Sequence, residues 1–327
     1  VDVPDDDAKP ASAAAPVHSA ADDPEVARVA AALLAADPQG HRLAAVLRRS
    51  IDMLLDGQHT QRYRWDQLHK TEKTHAGTLI EINLQREFGF ADGERMDYRI
   101  ADVDVDCKFS QTLNGWMVPL EAHDEVLLLV WAVDQESRWC AGLVRGRPNL
   151  LNEGRNRDRK ATLNAAGRAA IHWLHQDQPL AKNALLYLPK EDLDAIFGQK
   201  SGNKRIDELF RRAQAVPISR SVVATVAAQE DYMRRLRANG GARTALRPEG
   251  IVILGQYGVH QAVARGLHLP VPGPGESVSI RLARLQPHHG QALAVELDGV
   301  QWTRALPQDP AETAPELPRT NERNHTE

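Results

Sequence analysis

Residues 103–110 read VDVDCKFS. Val103, Val105, Cys107 and Phe109 alternate there with Asp104, Asp106, Lys108 and Ser110. Successive side chains of a strand point to opposite faces, so the alternation predicts a β-strand with one apolar face inward. Its other face carries carboxylates and a lysine in a row. Asp97 stands at the start of the preceding strand, with a short turn expected near Ala101–Asp102. The set Asp97…Asp106-Cys107-Lys108 has the spacing D-x(n)-D-x-K. Two carboxylates a few ångströms apart repel, and burying them unpaired is costly. A Mg²⁺ between them removes both problems, because it prefers hard oxygen ligands and keeps several waters. Such an ion polarises a phosphodiester oxygen and acidifies a bound water. A lysine two residues along the same face can orient that water or neutralise charge building on phosphorus. The pattern points to hydrolysis of a phosphate backbone. Taken alone it is weak, because a solvated strand face gives the same letters. Asp104 shares the face and is a further ligand candidate.

The surroundings suit an α/β fold. EVLLLVWAVD (125–134) is a near-continuous apolar run of strand length, as in a strand buried on both faces, and SRWCAGLVR (137–145) reads as its hairpin partner. Upstream, a helix is expected from Pro24 with Asp22 or Asp23 as N-cap. A second follows over 41–57, with Leu43, Val46, Leu47, Ile51 and Leu54 inward and Gly57 as its stop. A third begins near Thr74 or Thr78, with Leu79, Ile82 and Phe88 inward.

The chain has 327 residues, enough for about two domains. Net charge is −4, but from Arg155 to Arg247 there are 18 Lys plus Arg against 9 Asp plus Glu. That stretch is basic and suits a polyanion partner. Residues 151–168 read as a linker between a catalytic domain (25–150) and a second domain (169–306). The second domain opens with an amphipathic helix over KRIDELFRRAQ (204–214), a short break, and a helix from Ser219 that closes at Gly240–Gly241. Helix, short turn and helix outline a helix-turn-helix. Two alternating stretches, 276–285 and 291–305, would add a wing or small sheet, the second turning at Asp298-Gly299. The tails 1–24 and 307–327 are expected to be disordered. Two cysteines, no apolar run of membrane-spanning length and no leader pattern suggest a soluble chain of the reducing cytoplasm.

Several strings carry a resemblance. KTEKTH (70–75), the run from Asp56 through Ser110, WAVDQESRWCAGLVRG (131–146), NGGARTALRPEG (239–250) and LHLPVPGPGESVSIRLA (267–283) resemble the NaeI-type (type IIE) restriction endonucleases over most of residues 40–285. The resemblance implies a homodimer with a PD-(D/E)xK restriction-endonuclease-like N-terminal domain. It also implies a C-terminal domain similar to the DNA-binding domain of catabolite activator protein. It implies Mg²⁺-dependent cleavage of both strands of double-stranded DNA at GCCGGC, with a second site DNA on the C-terminal domain as effector. By the same resemblance Asp97, Asp106 and the backbone carbonyl of Cys107 are metal ligands, Lys108 stands at the nucleophilic water, and Glu81 is a further acid of the site. Glu81 taken alone reads as a solvent-facing helix acid.

For DNA contact the candidates are Arg220, Thr225, Arg234, Arg235, Arg237, Arg243 and Arg247, with Arg211 and Arg212 as further phosphate neutralisers. In a G·C-only site arginines should dominate readout through guanine O6 and N7. Other patterns are weaker. LLDGQH (54–59) partly resembles the adenylylation motif of DNA ligases, but Leu54 replaces the nucleophilic lysine, so a capped helix end is preferred. His172 and His175 lie one turn apart if helical, and His288-His289 falls in an expected loop; both pairs read as surface histidines. Two other functions are compatible with these features: a DNA-binding regulator with an inactive nuclease domain, and a structure-specific repair nuclease.

Overall fold

A computed structural model describes residues 23–153, 159–237 and 240–317. The helices are α1 (Pro24–Ala36), α2 (His41–Leu55), α3 (Gly57–Thr60), α4 (Lys70–Phe88), α5 (Ala165–Ala169), α6 (Lys190–Phe197), α7 (Gly202–Arg212), α8 (Arg220–Ala227), α9 (Ala242–Ala245) and α10 (Gly258–Gly266). The strands are β1 (Ala91–Asp92), β2 (Tyr98–Ile100), β3 (Val103–Ser110), β4 (Val126–Val133), β5 (Arg138–Arg145), β6 (His172–Pro179), β7 (Ile218–Ser219), β8 (Ile251–Gly255), β9 (Glu276–Arg284), β10 (Ala294–Leu297) and β11 (Val300–Arg304). They form two units, one of residues up to 46 with 77–133 and 138–179, the other of 47–76, 134–137 and 180 onward.

The first unit is a six-stranded sheet in the order β1-β2-β3-β4-β5-β6, in which β3 and β4 are parallel and the other pairs antiparallel. β4 is buried at every position but its last, as its unbroken apolar run requires. Leu127 and Leu129 pack with Trp116, Val118 and Val144 on one side of it. The Trp116 indole is fully buried, and its N–H donates to the Val130 carbonyl at 2.8 Å, so burial leaves no orphaned donor. Asp23 caps α1 by accepting from the Val26 amide at 3.2 Å, with Pro24 in the first turn as expected.

Three expectations shift here. α4 begins at Lys70, and its buried positions are Ala76, Ile80, Asn83 and Leu84 instead of Leu79, Ile82 and Phe88. Apolar residues surround this helix, so periodicity alone could not fix its phase. The expected linker is structured where it is described. Leu151, Ala161 and Leu163 are buried, and bridges join Leu151 to Leu163 and Val118 to Ala161. Beyond it β6 completes the sheet, so the first unit runs to residue 179 and not to 150. Apolar residues spaced among polar ones escaped a reading by average composition. Residues 154–158 lie outside the described part, as do residues 1–22 of the expected N-terminal tail.

In the second unit α2 does bury Leu47, Ile51 and Leu54, but it ends at Leu55, and Asp56 after it is left-handed with a φ of 48°. Gly57 opens α3 instead, and a Cβ there would meet the Thr225 hydroxyl at 2.0 Å and the Arg62 carbonyl at 2.9 Å. α7 buries Ile206, Leu209 and Phe210 on its apolar face. α8 is capped by Ser219 as expected, but it stops at Ala227 and does not reach Gly240. Arg205 donates to the Val226 and Ala227 carbonyls at 2.6 and 2.8 Å, which satisfies orphan acceptors of the helix end, and left-handed Ala228 turns the chain away. A second sheet runs β10-β11-β9-β7, with β8 also on β9; the β10–β11 hairpin turns at Asp298-Gly299, both at positive φ.

The expected disorder from 307 does not hold through 317. Asp309 is buried and accepts from the Leu306 amide at 2.7 Å, and Ala314 is buried in a core with Val252, Leu254 and Trp302. The rest of that tail, 318–327, lies outside the described residues.

Gly57→Ala should lower stability by about 1–3 kcal/mol, because the inserted methyl overpacks against backbone as well as side chain. Urea unfolding measures this, and an unchanged midpoint would refute the close packing of Gly57 on Thr225.

Candidate active site

The turn between β2 and β3 decides the geometry. Ala101 and Asp102 both adopt left-handed backbone, φ 50° and 60°, which closes a two-residue hairpin with Ile100 opposite Val103 and Tyr98 opposite Val105. Extending that register by one pair sets Asp97 against Asp106. The Cys107 amide donates to Asp97 Oδ2 at 2.7 Å, which fixes the Asp97 carboxylate beside β3. Lys108 Nζ lies 2.6 Å from Asp106 Oδ2 and donates to the Cys107 carbonyl at 3.1 Å. Glu81 joins from α4, whose position is tied to β2 by the Tyr98 hydroxyl donating to the Glu81 carbonyl at 2.8 Å.

Burial pushes the Asp106 carboxyl up to about 6; Lys108 works against the rise, while Asp97 and Glu121 add to it. Glu81 is also raised, first by burial and then by Asp97. Burial would lower Lys108, but the charge of Asp106, its hydrogen bond and the charge of Asp97 together hold it above its ordinary value. Three carboxylates face one ammonium, so the pocket carries uncompensated negative charge. Asp106 Oδ2 is buried and lacks an aligned hydrogen-bond donor, although Lys108 approaches it as an ion pair. An oxygen with a free lone pair, a second carboxylate beside it and a nearby carbonyl are a donor set that a hard divalent cation fits.

The sequence-derived residues are thus sorted. Asp97, Asp106, Lys108 and Glu81 share one electrostatic site. Asp104 does not join it, since its two oxygens accept from the Glu94 and Arg95 amides at 3.1 and 3.0 Å. The Cys107 thiol is buried and driven upward by that burial, so its side chain is core and only its backbone serves the site. Glu121, on a short turn distant in sequence, acts on Asp106 and carries no motif that would have singled it out.

The basic residues of the second unit sort by partner. Arg211 pairs with Glu249 at 2.7 Å, and Arg212 pairs with Asp192 at 2.6 Å and with Glu208. Arg235 pairs with Asp231 at 3.0 Å, and Arg247 is tied to Glu316 at 3.1 Å and to the Ala314 carbonyl. Arg234 is exposed, with Asp231 at 3.9 Å. Thr225, expected on an open helix face, is buried, and its hydroxyl donates to the Ser221 carbonyl at 2.8 Å. Residues 222–227 of α8 are all buried, so this helix is a support. Among the described residues no carboxylate pairs with Arg220, Arg237 or Arg243.

The histidines also move. His172 and His175 lie on strand β6, not on a helix, and buried His175 packs 5.4 Å from the Trp139 ring. His289 is buried, and both His288 and His289 reach Asp309, at 2.7 and 2.9 Å. These three residues could in principle hold a metal ion. However, His289 Nδ1 accepts from the Gln286 amide at 2.9 Å, so its proton sits on Nε2 and is donated to Asp309. A metal-bound imidazole instead donates its other N–H. The cluster is a clasp for the 307–317 segment.

Acids and a lysine converging on one hairpin are the equipment of a nuclease. The model of the restriction endonuclease NaeI family matches residues 27–313. The chain is also 47% identical over 311 residues to the type II restriction enzyme NaeI of Lentzea aerocolonigenes, an overlap of 93% of this chain and 98% of that relative. The chain belongs to the NaeI restriction endonuclease family and is a type II site-specific deoxyribonuclease. No helix among the described residues is long and apolar enough to cross a membrane.

Asp106 titrates at about 6 in the fold against an ordinary 3.8, so folding favours its protonated form. In chelator, the stability it contributes should be full below about pH 4 and lost as pH rises through about 6. Urea unfolding across that range should show the loss in the parent chain. Asp106→Asn should flatten that part of the curve, and an unaltered slope would mean the carboxyl is not desolvated.

Proposed function

We propose that this enzyme cuts both strands of duplex DNA at the palindrome GCCGGC in a Mg²⁺-dependent reaction, as a homodimer, activated by a second site DNA bound to its C-terminal unit. The observation that carries the hydrolytic reading is the convergence of Asp97, Asp106 and Lys108 on one hairpin. Asp97, Asp106 and the Cys107 carbonyl would hold the ion. When bound, it polarises the scissile phosphate and acidifies a water. Lys108 stays protonated beside Asp106 and presents its ammonium to the attacking water or to charge building on phosphorus. Glu81 adds a third carboxylate and, with its raised affinity for a proton, can take one up within the site.

The first unit is read as a PD-(D/E)xK restriction-endonuclease-like fold, in keeping with the hairpin that carries both acids. The second unit is read as a winged helix-turn-helix domain like that of catabolite activator protein. The order β7-β9-β8, with α7 and α8 flanking β7 and α9 preceding β8, supports it. On this reading the groove-facing element follows α8, within 231–237 and 240–249, where Arg234, Arg237 and Arg243 lie. A palindromic target requires two-fold symmetry, which supports the dimer. The place of action is the cytoplasm, as part of a restriction–modification system.

Asp106→Ala should keep duplex affinity and lose cleavage; equal loss of both would make the residue structural. Lys108→Ala should slow cleavage by roughly 100-fold or more at unchanged affinity. Plasmid cutting with and without Mg²⁺, followed by mapping of the ends, tests metal and site together. Discrete ends at GCCGGC only with Mg²⁺ support the reading, and gel shifts without scission defeat it. An uncleavable duplex carrying the site should accelerate cutting of a poor plasmid substrate, and its failure at every concentration removes the effector role.

A further inference from the structure

Arg220, Arg237 and Arg243, with which no carboxylate pairs among the described residues, meet in one place. A cavity of about 260 Å³ in the second unit is lined by Arg220, Arg237 and Arg243, with Tyr257 and the backbone of Gly255 and Gly275. Arg220 and Arg237 are exposed, whereas Arg243 is half-buried and its Nε is a buried donor with no hydrogen-bond partner. Burial lowers the affinity of Arg243 for its proton, and only Tyr257 opposes that effect. A guanidinium withdrawn from water without a counter-charge is destabilising unless an anion completes it. One carboxylate lines the cavity, Glu276, and its Oε2 already accepts from the Gly273 amide at 2.9 Å. Both glycines keep the walls close to the arginines. A Cβ at Gly255 would meet Arg243 Nη2 at 2.9 Å, and one at Gly275 would meet Arg220 Cδ at 3.5 Å. The volume falls below the roughly 300–1,000 Å³ of sites that enclose a whole small molecule, so a single charged group is the fitting occupant. Planar guanidinium forks suit phosphate oxygens.

We propose that this cavity binds one phosphate group, with Arg243 reaching it from within and Arg220 and Arg237 closing on it from the solvent side. The phosphate belongs either to the backbone of a duplex held by this unit or to a free phosphate or phosphomonoester. The first source rests on the reading of this unit as the effector-binding domain. Arg211, Arg212, Arg235 and Arg247 of the same unit are engaged by carboxylates, whereas these three line one cavity.

The test uses the full chain, with Arg243→Gln and, because a half-buried change can harm folding, the exposed Arg220→Gln beside it. Thermal unfolding is followed with inorganic phosphate against chloride at equal ionic strength. Labelled site duplex is titrated in parallel in the absence of divalent ion. A phosphate-specific rise in melting temperature that either variant abolishes supports the site. A backbone source is shown if one class of duplex site weakens by about 10- to 100-fold. Its salt slope should also drop by about 1. That weakening supports the site even without a response to free phosphate. A lost phosphate response at unchanged duplex affinity assigns the site to the free ligand. No phosphate-specific response together with unchanged duplex affinity overturns the proposal. The effector reading fails separately, by absence of acceleration with an uncleavable duplex in the parent chain.

Discussion

The hydrogen bond from the Cys107 amide to the Asp97 carboxylate is the constraint on which the active site depends. It can form only because Ala101 and Asp102 both accept left-handed backbone and close the hairpin in two residues. A longer turn would slip the register, and a slip of one residue carries every side chain of β3 to the other face. Asp106 and Lys108 would then enter the core, and Cys107 would face the site. Strand β4 beside β3, buried at all but its last position, opposes such a slip, since its parallel pairing fixes which β3 residues lie over the core.

The site is held in an unrelieved electrostatic state. Asp106 is buried, Glu81 feels Asp97 and Asp106, and only Lys108 compensates. A sequence evolved for stability alone would have little reason to place three acids there, because desolvated like charges weaken the fold. Stability does not explain this arrangement; the proposed cation binding does, since the same imbalance that weakens the fold would attract a cation. The second unit shows the mirror image, with a withdrawn arginine facing a cavity and no acid assigned to it. Each unit stores charge of one sign where a ligand of the other sign would relieve it.

Pairing, more than composition, decides which basic residues of the second unit are available. The excess of lysine and arginine between 155 and 247 is real, yet Arg211, Arg212, Arg235 and Arg247 are engaged by Asp192, Glu208, Asp231, Glu249 and Glu316. Several of these acids lie dozens of residues away in sequence, so counting charges in a window could not remove their partners. Thr225 was misplaced for a related reason. Its place on the second helix of a helix-turn-helix outline puts Thr225 in the open, whereas the apolar run of Val222, Val223, Ala224, Val226 and Ala227 around it is buried with it.

Alternation in 103–110, the unbroken apolar run of 126–133 and the Asp298-Gly299 turn are local signals with local physical causes, so the amino-acid sequence determined those elements unaided. It also offered the chemistry as a candidate, since Asp97, Asp106 and Lys108 at that spacing suit a metal site, although a solvated strand face gives the same letters. Only the tertiary structure decided the phase of α4 and with it the approach of Glu81, the order of 151–153, 159–163 and 307–317, and the removal of Asp104 from the site. It alone decided, too, which arginines remain unpaired. The reason is common to all of these. Each depends on partners far apart along the chain, and a pattern of period two or 3.6 carries no information about which distant group will arrive to satisfy a carboxylate, cover an apolar face or leave a cation alone.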